Sequence, residues 1–433
     1  MKSSMKKLQL MLLGILVFPL LTYSQIKVNQ ERLEQRIFKL AQFGLQENGE
    51  TERVAFSDAD IAARNWVIAE LNKMKLQTKI DFAGNIIGIR KGTVADKIPI
   101  SFGSHIDRVP NGGNYDGCVG AMAALEVIET LNENNISTSH PLEVIIFSNE
   151  EGGVMGSRAI AGHLGENALG VVNSSGYTMG EGIVRLGGDT TKLKNVERKS
   201  GEIAAFLELH IEQGGILDRE NLDIGIVEGI VGLKWWNVTF TGFANHAGTT
   251  PMIMRQDALL TAAKFIVAVN EITNSFEGKQ VGTVGRITAA PGAPNVIPGK
   301  VVTSLEIRDL SSDVIASLFR EIKQEGEKIA KEANVKIEFE LLDTTADPAL
   351  TDKDIQDQIA KVATKLGLSF KQMQSGAGHD AQDMALITPT GMIFVPSKDG
   401  ISHSPEEFTT ASDMANGTNV LLNTILTLDK ELN

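Results

Sequence analysis

Side chains able to bind a metal recur in five short motifs between His105 and His403, so a fold that uses them together must return the chain repeatedly to one point. The motifs are Gly-Ser-His105-Ile-Asp107, Asn-Tyr-Asp116-Gly, Asn-Glu150-Glu151-Gly-Gly, Glu-Leu-His210-Ile-Glu-Gln213-Gly and Gly-Ile-Ser-His403-Ser-Pro. The chain has seven histidines; three fall in these motifs and a fourth, His246, lies in a similar loop-like setting. Imidazoles mixed with carboxylates suit Zn, Mn, Co or Ni, and suit neither Ca nor an iron–sulfur centre. The pattern points to a metallohydrolase.

The hydrophobic periodicity supplies a frame that could gather these motifs. Residues 30–46 and 58–75 read as amphipathic helices, the second opening on the capping residues Ser57 and Asp58. Residues 77–82 and 85–90 look like a hairpin. A βαβ pattern follows: a strand at 98–102, a Gly-rich loop, a helix over 118–134 and a strand at 142–148. That last strand is nearly all apolar, as expected when both faces are buried, and it runs straight into Glu150-Glu151. Open α/β sheets place their sites at such carboxyl ends. From residue 229 the rhythm changes. Strands at 235–241, 281–290, 301–310 and 335–342 alternate with helices at 256–276 and 312–333 in the order β-α-β-β-α-β. After it come a helix over 352–366, a buried strand at 392–395 and a closing helix over 411–428. The expectation is an α/β protein with one catalytic domain split between residues 25–228 and 346–433, and a ferredoxin-like domain inserted at 229–345.

The first 24 residues form a separate unit. Lys2, Lys6 and Lys7 precede an apolar run from Leu8 to Leu21, and Thr22-Tyr23-Ser24 offers small residues before a cleavage point. This is the order of a secretory signal peptide, with an N-terminal membrane anchor as the alternative and the run short for a span. The expected location is therefore periplasmic or secreted, with no membrane association after cleavage. Export permits disulfides, but Cys118 is the sole cysteine, so no intrachain bridge forms. Net charge is −13 and no Lys/Arg run exists beyond the N-terminus, which excludes the cationic face that nucleic acid requires.

Within the motifs, a carboxylate shared by two metals needs a short rigid loop with a second ligand close by, and His105 with Asp116 meets that need. Asp107 is placed to hydrogen-bond the far nitrogen of His105 and fix its tautomer. Consecutive residues after a strand point in different directions, so Glu151 can be a ligand while Glu150 faces substrate and water as general base. The competing readings are a Gly-rich surface turn for Asp116 and two solvated glutamates for the pair. The latter loses because a buried strand delivers the pair into a Gly-Gly turn.

Taken together, the motifs resemble one family. Gly-Ser-His-Ile-Asp, Gly-Gly-Asn-Tyr-Asp-Gly, Asn-Glu-Glu-Gly, His-Ile-Glu-Gln-Gly, Gly-Phe-Ala-Asn-His-Ala-Gly-Thr-Thr-Pro-Met, Ala-Pro-Asn-Val-Ile-Pro-Gly, Ser-Gly-Ala-Gly-His-Asp-Ala-Gln and Gly-Ile-Ser-His-Ser-Pro-Glu-Glu look like the N-carbamoyl-L-amino acid hydrolase and allantoate amidohydrolase branch of the di-metal aminoacylase/carboxypeptidase clan. The resemblance implies two divalent ions per subunit, Zn or Mn with Co and Ni as further fits. One would be held by His105, Asp116 and His210, the other by Asp116, Glu151 and His403. It implies a homodimer formed through the inserted domain, with His246 stabilising the oxyanion from the partner subunit. Gln213 would meet the ureido end of a small-molecule substrate, and Asn295 and Arg308 its carboxylate. Arg is the natural clamp because its planar fork binds both oxygens, although a salt bridge with Asp309 or a neighbour is the common fate of a lone arginine.

His379 is assigned to substrate or to ordering its loop; His140 and His163 read as surface residues, Trp235 and Trp236 as strand packing and Cys118 as a small buried residue. The chain departs from the family in Arg108, where a small residue is usual, and in lacking the Arg-Phe stretch after Glu151. The leading expectation is hydrolysis of the carbamoyl C–N bond of an N-carbamoyl-L-amino acid or related ureido acid, with allantoate next. An exported aminopeptidase or dipeptidase is disfavoured by Gln213 and Arg308. A non-catalytic binding protein is disfavoured because neither Glu150 nor any ligand is missing.

Overall fold

The computed structural model describes residues 26–46, 51–342 and 346–432. The expected signal segment lies outside them. Among the described residues no helix is long and apolar enough to cross a membrane.

A nine-stranded mixed sheet forms the larger body. Across it run Gln77–Ile80, Ile86–Arg90, Leu142–Phe147, Ile100–His105, Ala205–Ile211, Thr390–Val395, Ile224–Ile230 and Ala349–Leu350, with Phe370–Ser375 also paired to Ile224–Ile230. The four central strands, Leu142–Phe147 through Thr390–Val395, are mutually parallel and buried along their whole length. Their side chains alternate between two apolar cores. Val144, Ile146, Leu207 and Leu209 pack under the helices Gln30–Ala41, Cys118–Glu133, Lys353–Leu366 and Ala411–Glu431. Ile145, Phe147 and Phe206 face the other way, onto Ile160, Met384 and their neighbours. Burial on both faces explains the apolar runs, and the parallel order brings the carboxyl ends of all four strands to one edge.

The expected helices and strands form, with bounds shifted by a few residues. Ser57 caps Asp58–Lys73 by accepting the Asp60 N–H at 3.1 Å. The strand expected at 98–102 instead spans Ile100–His105, so His105 is its last residue. The stretch 281–290 is two strands, Val281–Thr283 and Ile287–Ala290, both paired with Lys300–Asp309. Residues 284–286 face only 304–305, so the extra residue bulges out of the ladder, and Ser304 satisfies the bulge by accepting the Gly285 N–H. His140, expected at the surface, is 1% exposed; its ring lies 2.8 Å from the Ile98 carbonyl and 3.2 Å from that of Leu432.

Residues 229 and 230 still pair within the large sheet, and a second sheet begins at Gly232. Its order is Ile287–Ala290, Lys300–Asp309, Gly232–Thr241 and Lys336–Leu341, every pair antiparallel. Helices Ala258–Ser275 and Ser312–Glu332 cover one face, over a separate core that includes Val238, Phe240, Phe265, Leu305 and Leu318. Trp236 stacks on Phe319 within it, ring centroids 4.1 Å apart. The opposite face carries Trp235, Glu306 and Arg308.

Candidate metal centre

The parallel strands deliver the motif residues in spatial order. Glu150 and Glu151 follow Leu142–Phe147, His105 ends Ile100–His105, His210 stands near the end of Ala205–Ile211, and His403 follows Thr390–Val395 after a short turn. Asp116 comes from the loop between His105 and the helix Cys118–Glu133. Gly117 makes that loop fit. Its φ of 60° suits glycine, and a Cβ there would lie 2.2 Å from the His105 Nε2.

Asp116 stands at the centre with one oxygen toward each half of the cluster. Its Oδ1 lies 3.3 Å from His210 Nε2 and 3.6 Å from His105 Nε2. Its Oδ2 lies 3.2 Å from His403 Nε2, which is 3.5 Å from Glu151 Oε2. Two groups with metal-ligand geometry result, His105–Asp116–His210 and Asp116–Glu151–His403, joined by the shared aspartate.

The donor set fits divalent cations. His105 Nδ1 lies 3.1 Å from the Asp107 carbonyl and His210 Nδ1 3.0 Å from the Ile211 carbonyl, contacts that place the ring proton on Nδ1 and the Nε2 lone pair in the cluster. His105 Nε2 and Glu151 Oε1 are buried without a hydrogen-bond partner in the protein. The electrostatics agree. Burial opposes charge on His105, yet Glu150 and Asp116 raise its imidazole well above the usual range. The hydrogen bond to Asp116 lifts His403 to about 9. Burial tends to protonate Asp116, but the three imidazoles hold its carboxyl well below the ordinary value. Burial, reinforced by Asp116, pushes Glu151 up to about 7. The carboxylates that raise these imidazoles are the groups that would also attract a divalent cation.

Glu150 belongs to neither group. It is 8% exposed, with Oε2 3.6 Å from His105 Nε2, and burial together with Asp380 and Glu151 pushes its carboxyl well above the usual range. Its carbonyl accepts the N–H groups of Gly153 and Val154 at 2.9 and 2.7 Å, forming the tight turn that splays the two glutamates apart. Asp107 meets His105 through its main-chain carbonyl. Its carboxylate does a different job and accepts the N–H groups of Glu150 and Glu151 at 3.3 and 3.2 Å. Gln213 lies over the shared carboxylate, donating from Nε2 to Asp116 Oδ2 at 2.6 Å.

The remaining expected residues divide. His379 is 1% exposed, its ring edge-on to His210 at 4.4 Å and its Nε2 2.8 Å from Ser375 Oγ. It packs against His210, and burial holds its imidazole well below the usual range. His246 and Asn295 are exposed neighbours on a small two-stranded ladder in the second body, where the Ala247 N–H donates to the Asn295 carbonyl at 2.9 Å. No hydrogen bond or ion pair among the described residues joins them to the cluster. His246 Nδ1 accepts the Gly248 and Thr249 N–H groups at 3.0 and 3.3 Å, so Nε2 carries the proton and is a donor. Arg308 is gripped by Glu306 at 2.8 and 3.2 Å, the neighbour-pairing of a lone arginine, and also donates to the Gly376 carbonyl.

Two residues have structural roles that the motif reading did not assign. Arg108 is buried and turns toward Thr51 and Asn114, strapping the Asp116 loop to the chain's N-terminal part; burial lowers it to about 10. Glu407, four residues past His403, accepts hydrogen bonds from both ligand loops. A carboxylate four residues past His403 was the available signal.

Comparison with known proteins gives a consistent result. The description of peptidase family M20/M25/M40 matches residues 101–427. The N-carbamoyl-L-amino acid amidohydrolase of Geobacillus stearothermophilus is 40% identical over 403 residues, covering 92% of this chain and 98% of the relative. The allantoate amidohydrolase of Escherichia coli strain K12 is 31% identical, covering 90% and 96%. A hydantoinase/carbamoylase-family amidase from Burkholderia multivorans superposes with a TM-score of 0.87 at 35% identity, covering 93% of this chain and 98% of that one.

Proposed function

This chain belongs to peptidase family M20/M25/M40, whose enzymes are metal-dependent, and from that premise we propose that it hydrolyses the carbamoyl C–N bond of an N-carbamoyl-L-amino acid. It is an amidohydrolase acting on carbamoyl or ureido C–N bonds. The observation that carries the reading is the division of Asp116, one oxygen toward His105 and His210 and the other toward His403 and Glu151, with Glu150 left outside both groups.

His105, Asp116 and His210 would hold one divalent ion, and Asp116, Glu151 and His403 a second, with Zn or Mn as the first choices and Co or Ni also suited to the donors. When bound, such ions would lower the pKa of the attacking water and polarise the scissile carbonyl. Glu150 accepts the proton of the attacking water and returns it to the leaving nitrogen. The products are the amino acid, ammonia and carbon dioxide. Gln213, already beside Asp116, orients the ureido end. Arg308 and Asn295 hold the substrate carboxylate, Arg308 exchanging its grip on Glu306 for the ligand.

His246 donates from Nε2 to the oxyanion, and it acts in the active site of the partner subunit of a homodimer. Supporting this, His246 is exposed, and so are the apolar side chains near it in sequence, Phe243, Met252, Ile253 and Met254, at 62%, 69%, 96% and 70%. Export through the N-terminal lysine-plus-apolar segment belongs to the same proposal. Allantoate is the second reading, supported by the Escherichia coli relative.

Ammonia release from N-carbamoyl-L-amino acids, allantoate and ureidopropionate, measured beside dipeptide cleavage, tests the proposal. Ammonia from a ureido acid with dipeptides untouched is expected. Dipeptide cleavage without ammonia release overturns it.

A further inference from the structure

The two ligand groups differ in what fixes them. His105 and His210 are each 1% exposed and wedged in the core, so packing sets their positions. The His403 side chain is 49% exposed. Its backbone has φ 54°, a left-handed conformation that a residue with a side chain keeps only when its surroundings hold it there. The group that holds it is Glu407, 4% exposed. Glu407 Oε2 accepts the His403 N–H at 3.3 Å and the Ser402 hydroxyl at 2.9 Å. Its Oε1 accepts the N–H groups of Tyr115 and Asp116 at 2.8 and 3.0 Å. One carboxylate thus takes four donors, two from each ligand loop. Ser402 adds a link, its hydroxyl also lying 3.1 Å from Asp116 Oδ2. Gly113 leaves the room: a Cβ there would fall 2.2 Å from Glu407 Oε1.

We propose that Glu407 is a positioning residue that clamps the Asp116 and His403 loops together and so sets the affinity of the Asp116–Glu151–His403 position, while leaving the His105–Asp116–His210 position to packing. The inference rests on the two-cation reading above. A glutamine at 407 could satisfy one loop with its oxygen, but its NH₂ would face donors of the other, so the amide breaks the clamp without emptying the space. Partners behind metal ligands commonly change affinity about 10–100-fold when altered.

The test is calorimetric titration of metal-free protein with Zn²⁺ for wild type, Glu407→Gln, Ser402→Ala and His403→Ala, the last identifying which of two binding events belongs to the His403 position. Glu407→Gln should weaken that event about 10–100-fold and leave the other unchanged. Ser402→Ala should weaken the same event less, and kcat of Glu407→Gln should recover at saturating metal. Equal weakening of both events, or no weakening, overturns the proposal. A lowered melting temperature of metal-free Glu407→Gln with unchanged affinities would mark a purely structural role and also overturns it. If Glu407→Gln does not fold, Ser402→Ala decides by the same criterion. Failure of the underlying reading is seen separately, as wild-type protein that takes up one ion or none.

Discussion

Arg308 donates a 2.6 Å hydrogen bond to the main-chain carbonyl of Gly376, joining the second sheet to the loop that leads to His379 and, through its ring, to the ligand His210. The residue proposed to hold the substrate carboxylate thus touches the loop that carries His379. Its partner Glu306 also accepts the indole N–H of Trp235 and so keeps the guanidinium aimed along the sheet's open face.

Replacing Arg308 by alanine should raise KM for carboxylate-bearing substrates by roughly 10–100-fold, the equivalent of losing one charge-assisted hydrogen-bonded pair. kcat should change little and metal content not at all. Steady-state kinetics on a ureido acid and on its carboxamide analogue checks this, because only the acid should feel the change. An equal loss on both would remove Arg308 from substrate binding.

Glu150→Gln should retain metal and substrate affinity and lose about 10²–10⁴-fold in kcat, the usual worth of general acid–base catalysis. The side chain is nearly isosteric and sits outside both ligand groups, so metal titration should match wild type. Turnover close to normal would exclude Glu150 from proton transfer.

His246→Ala should lower kcat by about 10²–10³-fold with KM nearly unchanged, because an oxyanion donor acts in the transition state. Mixing it with Arg308→Ala tests whether sites are shared. If His246 comes from the partner subunit and Arg308 from the same subunit's second sheet, a mixed dimer holds one site with both lesions and one with neither. Activity restored on subunit exchange is the expected result. Sedimentation showing a fully active monomer at assay concentration would contradict sharing.

Much of this centre is legible in the sequence because ligands sit in tight local settings, where a Gly or an apolar strand leaves few geometries. His105, Asp116, Glu151, His210 and His403 converge as the motifs imply, and the strand order explains why. Residues acting through the backbone were harder to read. Asp107 meets His105 with its carbonyl and spends its carboxylate on Glu150 and Glu151, which no side-chain pattern reveals. His379 could be read either as a substrate residue or as ordering its loop, and only the fold shows its ring packed against His210. The strand over 281–290 is broken by a bulge against Lys300–Asp309, a pairing register that only the folded sheet shows. His140 reads as polar surface in the sequence, and only the folded chain supplies the carbonyls of Ile98 and Leu432 that its ring meets.

The most direct test of a two-cation centre organised by Asp116 is anomalous scattering from crystals of the protein loaded with Zn or Mn. The account predicts two peaks about 3.5–4 Å apart, one against His105, His210 and Asp116 Oδ1 and the other against His403, Glu151 and Asp116 Oδ2. A single fully occupied peak, or two that do not share Asp116, would contradict it.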